Sequence, residues 1–133
     1  MLVDSGNLVN DLISEDFAKK TGVKYEQIEK KVGTAAKGGS VQIIGRSQPI
    51  KLFIENISQP VIIKPFVVRD LAHPINVGRG FLGRYQGKLE YTETDGYLDI
   101  YGQKACLIGK NEPLFCEEMT DRASFKLSPL IRR

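Results

Sequence analysis

Hydrophobic positions in this chain come in short bursts separated by glycine-containing or polar stretches, with alternation far more common than helical spacing. Leu2 and Val3 lead straight into Asp4-Ser5-Gly6, the pattern of a buried strand that ends in a tight turn. Residues 8–13 continue from that turn. A short helix then carries its own punctuation: Ser14 as N-cap, Glu15 and Asp16 in the first turn, Lys19 and Lys20 in the last, and Gly22 as the stop. Phe17 and Ala18 fall on its core-facing side. Residues 30–36 and 41–44 read as paired strands around Lys37-Gly38-Gly39-Ser40. Gly45 and Pro49 interrupt the pattern. Ile50, Leu52 and Ile54 alternate with Lys51 and Glu55 as in a half-buried strand, and residues 56–59 turn. In the apolar run 61–68, Pro65 has no N–H to give to a ladder, which argues for an edge or a bulge. Ile75-Asn76-Val77 ends at Gly78, and residues 79–85 suit a short helical turn. Residues 88–92 and 97–101 flank Thr94-Asp95-Gly96, a strong hairpin signal, and Gly102-Gln103 turns into 104–108. From residue 112 onward the pattern is less regular.

Many short strands, regular turns and one or two short helices define a mainly-β protein, a closed or partly open β-barrel or a sandwich. The length of 133 residues suits one domain with a real core, and neither an internal repeat nor a linker divides it. At 41% hydrophobic residues the chain is not disordered, and no apolar run reaches the ~20 residues of a membrane span. The opening residues lack the basic and long apolar regions of a secretory leader. The net charge of +3 is mild, with no basic stripe interleaved with aromatics, so neither nucleic acid nor a membrane is an expected partner. Two cysteines, Cys106 and Cys116, and a single histidine, His73, are too few for a zinc centre. They read as free thiols of a reducing compartment; a nucleophilic pair of one cysteine with His73 has no local support. No metal and no cofactor is expected.

The remaining chemistry lies at Asp4-Ser5-Gly6. Asp4 is an acid able to do general acid/base work, Ser5 offers a hydroxyl, and Gly6 lets a second backbone approach closely. The tripeptide alone is also an ordinary strand-end turn.

Four features in order give it context over about residues 2–85. Leu2-Val3-Asp4-Ser5-Gly6 comes first, then Leu12-Ile13-Ser14 running into the helix with Phe17-Ala18. A glycine-rich hairpin over residues 33–45 follows, and then Val77-Gly78-Arg79-Gly80-Phe81-Leu82. In this order the chain resembles the retroviral-type aspartic proteases, the retropepsins, with relatives in retrotransposons and DNA-damage-inducible proteins. The resemblance implies a retropepsin-type β-barrel with its core, catalytic loop and flap in residues 1–87. Residues 88–133 would add strands and a tail to the same domain. It implies an aspartic endopeptidase with Asp4, Ser5 and Gly6 as catalytic residues. Asn7, Ala36, Lys37, Gly38, Gly39, Asn76 and Val77 would contact an extended peptide, the glycine-rich tip closing over it as a flap. Peptide hydrolysis of this kind needs two carboxylates sharing one proton, and one Asp-Ser-Gly per chain then requires a homodimer. A polyprotein substrate and an intracellular setting, cytoplasmic or within a virus-like particle, fit the same family. The alternative is a catalytically silent retropepsin-like module for dimerisation or peptide binding.

The chain departs from the family at Asn7, where a small residue is usual, and at Gly80, where Asp or Asn is common. Leu8 replaces an acid that often pairs with the later arginine, which leaves Arg79 without its usual partner. Only three residues precede Asp4, so the family's N-terminal interface strand is nearly absent. The strands after residue 88 would then supply the interface, with Tyr91, Tyr97 and Tyr101 as anchors or as part of the chain's own barrel.

Overall fold

A computed structural model describes residues 1–8, 10–33, 40–107, 116–118, 124–127 and 129–131. Among the described residues strands dominate, in three sheets. The largest is built from β1 (Leu2–Val3), β2 (Leu12–Ser14), β3 (Tyr25–Gly33), β4 (Ser40–Ser47), β7 (Phe66–Val68), β8 (Ile75–Val77) and β14 (Leu130–Ile131), in the order β14-β1-β8-β2-β7-β4-β3. The second joins β5 (Ile50–Ile54) and β6 (Val61–Ile63) to β12 (Cys116–Glu118) and β13 (Ser124–Leu127). The third is β9 (Lys88–Tyr91), β10 (Gly96–Ile100) and β11 (Gln103–Cys106). The described residues also form two short helices, α1 (Glu15–Thr21) and α2 (Arg79–Arg84).

The strands bury what their alternation says they should. Ile50, Leu52 and Ile54 point into the core from β5, as do Leu98 and Ile100 from β10. These side chains join Val3, Ile13, Val67, Ile75, Val77, Phe81 and Phe125 in one cluster shared by all three sheets. Burial of this kind is the main favourable term in folding. Helix α1 forms as its punctuation predicts. The Ser14 hydroxyl accepts from the Phe17 N–H at 3.0 Å, and Gly22 ends the helix at φ 74°. Ala18 is fully buried, and Phe17 packs on Phe125 with ring centroids 5.2 Å apart.

The structure departs from the sequence pattern at several boundaries. Gly45 does not end β4: the strand runs on to Ser47 through a register shift between Ile43 and Gly45. A Cβ at Gly45 would press on the Tyr25 ring, so the glycine permits the close crossing of β3 instead of stopping the strand. The apolar run around Pro65 is two strands in two sheets. β6 is an edge strand, whereas β7 lies between β2 and β4, and Lys64-Pro65 makes the corner between them. The β9–β10 turn falls at residues 92–95, not on Asp95-Gly96. The Thr92 hydroxyl accepts from the Asp95 N–H at 2.9 Å, and Gly96 already pairs with Tyr91. The next turn is Tyr101-Gly102, both at positive φ (57° and 73°), because the pairing of Ile100 with Gln103 leaves a two-residue loop. The C-terminal third supplies more sheet than its pattern suggests: β13 pairs parallel with β5, and β14 parallel with β1.

Candidate active site

Parallel pairing fixes where the site lies. Leu2 is in register with Asn76 and Val3 with Val77, so β1 and β8 leave the sheet at the same end. Asp4 and Gly78 are therefore the first residues beyond two adjacent strands. The Asp4 N–H extends the ladder by donating to the Val77 carbonyl at 2.8 Å. The chain then reverses at once: the Asn7 N–H donates to the Asp4 carbonyl at 3.0 Å, and the Gly6 N–H donates to Asp4 Oδ1 at 3.0 Å. A side chain that accepts from the N–H two residues on is the usual way Asp stabilises such a turn. Asp4 is only 7% exposed, while Ser5 and Gly6 are exposed on the turn itself.

Asn76 reaches the same carboxylate from β8. Its Nδ2 lies 3.4 Å from Asp4 Oδ2, and its Oδ1 accepts from Asn7 Nδ2 at 2.9 Å. Asn7 Nδ2 also donates to the Asn10 carbonyl at 2.8 Å.

A second buried carboxylate braces the turn from behind. Asp11, 1% exposed, accepts from the Gly78 N–H at 3.1 Å and from Arg84 Nη2 at 2.6 Å. Its own carbonyl accepts from the Phe66 N–H at 2.9 Å. One side chain thus ties the start of β2 to the end of β8 and to the last turn of α2. A buried charge is tolerated when it is paired and hydrogen-bonded, and Asp11 is both. Gly78 is required by close approach: a Cβ there would collide with the Asn7 carbonyl and side chain.

The expected site residues fall into three groups. Asp4, Ser5, Gly6, Asn7 and Asn76 come together at one end of β1 and β8. Val77 stands beside them, but its side chain is fully buried in the core cluster. Ala36, Lys37, Gly38 and Gly39 lie outside the described residues; the hairpin that carries them pairs up to Gly33 with Ser40. Arg79 donates from Nε to the Ser5 carbonyl at 3.2 Å and from its N–H to the Asn7 carbonyl at 3.0 Å. The aspartate beside this turn that binds an arginine side chain is Asp11, and its partner is Arg84. Neither residue stood out in the sequence; an aspartate just before the apolar residues of β2 was the available signal. Leu8 is 68% exposed beside the turn. Of the tyrosines, Tyr91 is exposed, Tyr97 is half-buried, and Tyr101 packs edge-on against Tyr85 with centroids 6.1 Å apart. Among the described residues no group of His, Cys, Asp and Glu is arranged to hold a metal ion, and no helix is long and apolar enough to cross a membrane.

A scan against protein-family models and a search of curated proteins find no match to this chain. Among solved structures, the retroviral protease-like domain of Ddi1 from Leishmania major is similar in fold, with a TM-score of 0.53 and 15% identity. The match covers 84% of this chain and 86% of that one. The protein therefore has a mainly-β, retropepsin-like fold with two short helices.

Proposed function

We propose that the chain is an aspartic endopeptidase that acts as a homodimer on extended peptide segments, such as those of a polyprotein. The observation that carries this reading is Asp4 itself. It is a buried carboxylate on an Asp-Ser-Gly turn, at the end of a β1–β8 pair, in a fold similar to a retroviral protease-like domain. One such carboxylate per chain makes half a site. Two of them facing across a twofold axis would share one proton, because like charges at that distance do not both ionise. The ionised Asp4 takes a proton from a water between the two, and the water oxygen bonds to the peptide carbonyl carbon. The protonated Asp4 delivers its proton to the carbonyl oxygen. Collapse of the resulting diol breaks the C–N bond, and the leaving nitrogen takes up a proton. Ser5 is exposed, and among the described residues its hydroxyl has no partner, which suits a bond across the axis to the partner's turn. The β3–β4 hairpin suits a flap over a substrate bound as an added strand.

The test is cleavage of a denatured protein at mildly acidic pH by the purified chain, wild type beside Asp4→Asn. Cleavage by the wild type alone is expected, with a loss of at least about 10²–10⁴-fold in the variant, the range of acid–base catalysis. Activity should rise faster than linearly with protein concentration near the dimer dissociation constant. An Asp4→Asn protein that cuts at the wild-type rate ends the protease reading. A dimer that binds peptide without cutting it points to the silent module instead.

A further inference from the structure

The geometry points to Asn76 as a positioning residue that fixes the plane of the Asp4 carboxylate through a side-chain amide relay running Asn7–Asn76–Asp4, anchored at its start on the Asn10 backbone carbonyl. This inference rests on the endopeptidase reading of the same site and adds a role that the Asp-Ser-Gly turn alone does not supply.

The relay has a defined direction. Asn7 Nδ2 has two protons; one goes to the Asn10 carbonyl at 2.8 Å and the other to Asn76 Oδ1 at 2.9 Å. Only the oxygen end of the Asn76 amide can accept that second proton. Its nitrogen end is thereby turned toward Asp4 Oδ2, at 3.4 Å. Asp4 Oδ1 is held on the other side by the Gly6 N–H at 3.0 Å. The carboxylate thus has a donor on each oxygen, one from its own turn and one from β8.

Burial makes the arrangement consequential. Asn76 is 6% exposed on a strand whose neighbours Ile75 and Val77 are fully buried, a place where an apolar residue would serve packing at least as well. A buried amide is costly unless its groups are bonded, and Asn76 bonds both Asp4 and Asn7. Asn7 is itself fixed by backbone, since its carbonyl accepts from the Arg79 N–H at 3.0 Å and its N–H donates to the Asp4 carbonyl at 3.0 Å. Asn7 and Asn76 therefore act on Asp4, and their effect should appear in the chemical step more than in peptide binding. Misplacement of a reacting group by about 1 Å costs roughly a hundredfold in rate.

Two measurements on the full chain test this. In 15N NMR, the Asn76 side-chain amide of the wild type should give two dispersed proton signals that shift in Asp4→Ala and again in Asn7→Ala. Asn76 signals that stay put in Asp4→Ala overturn the relay whatever the protein's activity. In proteolysis assays, Asn76→Leu should lower kcat by about ten- to a hundredfold with KM little changed. Asn7→Ala should lower kcat as well, and the double variant should lose less than the product of the two. A loss confined to KM, or multiplicative losses, would assign the two asparagines to substrate contact and overturn the positioning role. If Asn76→Leu does not fold, Asn7→Ala alone carries the kinetic test, since a relay without its first member leaves Asn76 unoriented. An Asp4-dependent Asn76 signal in a wild type that cleaves nothing removes the endopeptidase reading, and the positioning role with it, leaving the relay as a strut.

Discussion

The Asp4 end of the seven-stranded sheet and the β9–β11 sheet treat polar residues in opposite ways. At the first, Asp4, Asp11 and Asn76 are all buried, and each has a partner reached from another element or from the turn that follows it. At the second, the inward side is apolar: Leu98, Ile100 and Ala105 are fully buried, and charged residues stay out where water reaches them. Lys104 bonds Glu90 at 2.8 Å with both side chains about half exposed. Gln103 accepts from the Ser58 N–H at 2.8 Å on an exposed surface. An apolar inner face supplies stability by burial alone. Buried polar groups contribute little net and cost much when a partner is lost, so a cluster of them marks a place where geometry is held for another purpose.

Three substitutions sharpen that contrast. Leu98→Ala removes a fully buried side chain from the β9–β11 sheet and should cost about 2–5 kcal/mol in urea unfolding. Cleavage per folded molecule should be unchanged; a selective loss of activity would mean that this sheet shapes the site directly. Arg84→Met should cost less, about 1–3 kcal/mol, because the arginine is 47% exposed and the Gly78 N–H still serves Asp11. Its loss frees α2 from the base of the Asp4 turn, so activity per folded molecule should fall, in contrast to Leu98→Ala. Equal activity in the two variants would show that the Asp11 brace does not bear on the site.

The smallest effect is expected at Glu90→Gln. Hydrogen bonding to Glu90, and then its charge, raise the pKa of Lys104 above the ordinary lysine value. A lysine whose folded pKa is raised contributes stability below its unfolded pKa and loses it as pH rises through the folded one. At neutral pH the contribution is fully present, yet the pair is solvent-exposed and screened by salt. Thermal midpoints of the variant and the wild type should therefore coincide in physiological salt. A drop as large as that of Arg84→Met would mean that surface and buried ion pairs are equivalent here.

Local chemistry was legible in the sequence. Ser14 and Gly22 cap α1 because a hydroxyl three residues before a free N–H and a glycine able to adopt positive φ act within a few residues of chain. The alternation of Ile50, Leu52 and Ile54 fixed the buried face of β5, and the strand-turn pattern of Leu2-Val3-Asp4-Ser5-Gly6 located the carboxylate. Boundaries that depend on a neighbouring strand were not legible. Gly45 stays inside β4 because Tyr25 crosses over it, and the run around Pro65 divides because β6 and β7 meet different sheets.

The partners of the buried polar groups belonged wholly to the tertiary structure. Asp11 and Arg84 are 73 residues apart, and Asn76 and Asp4 are 72 apart. No periodicity, cap or turn rule relates positions at such distances; only the parallel register of β1 with β8 and the placement of α2 bring them together. β14 lies against β1 for the same reason: a two-residue strand has almost no pattern of its own, and an open edge beside Leu2 and Val3 gives it a place. The sequence by itself determined which residue types the site contains and the turn that presents Asp4. Which of them touch was decided by register, because hydrogen bonds act over about 3 Å and only a completed sheet places distant residues to that accuracy.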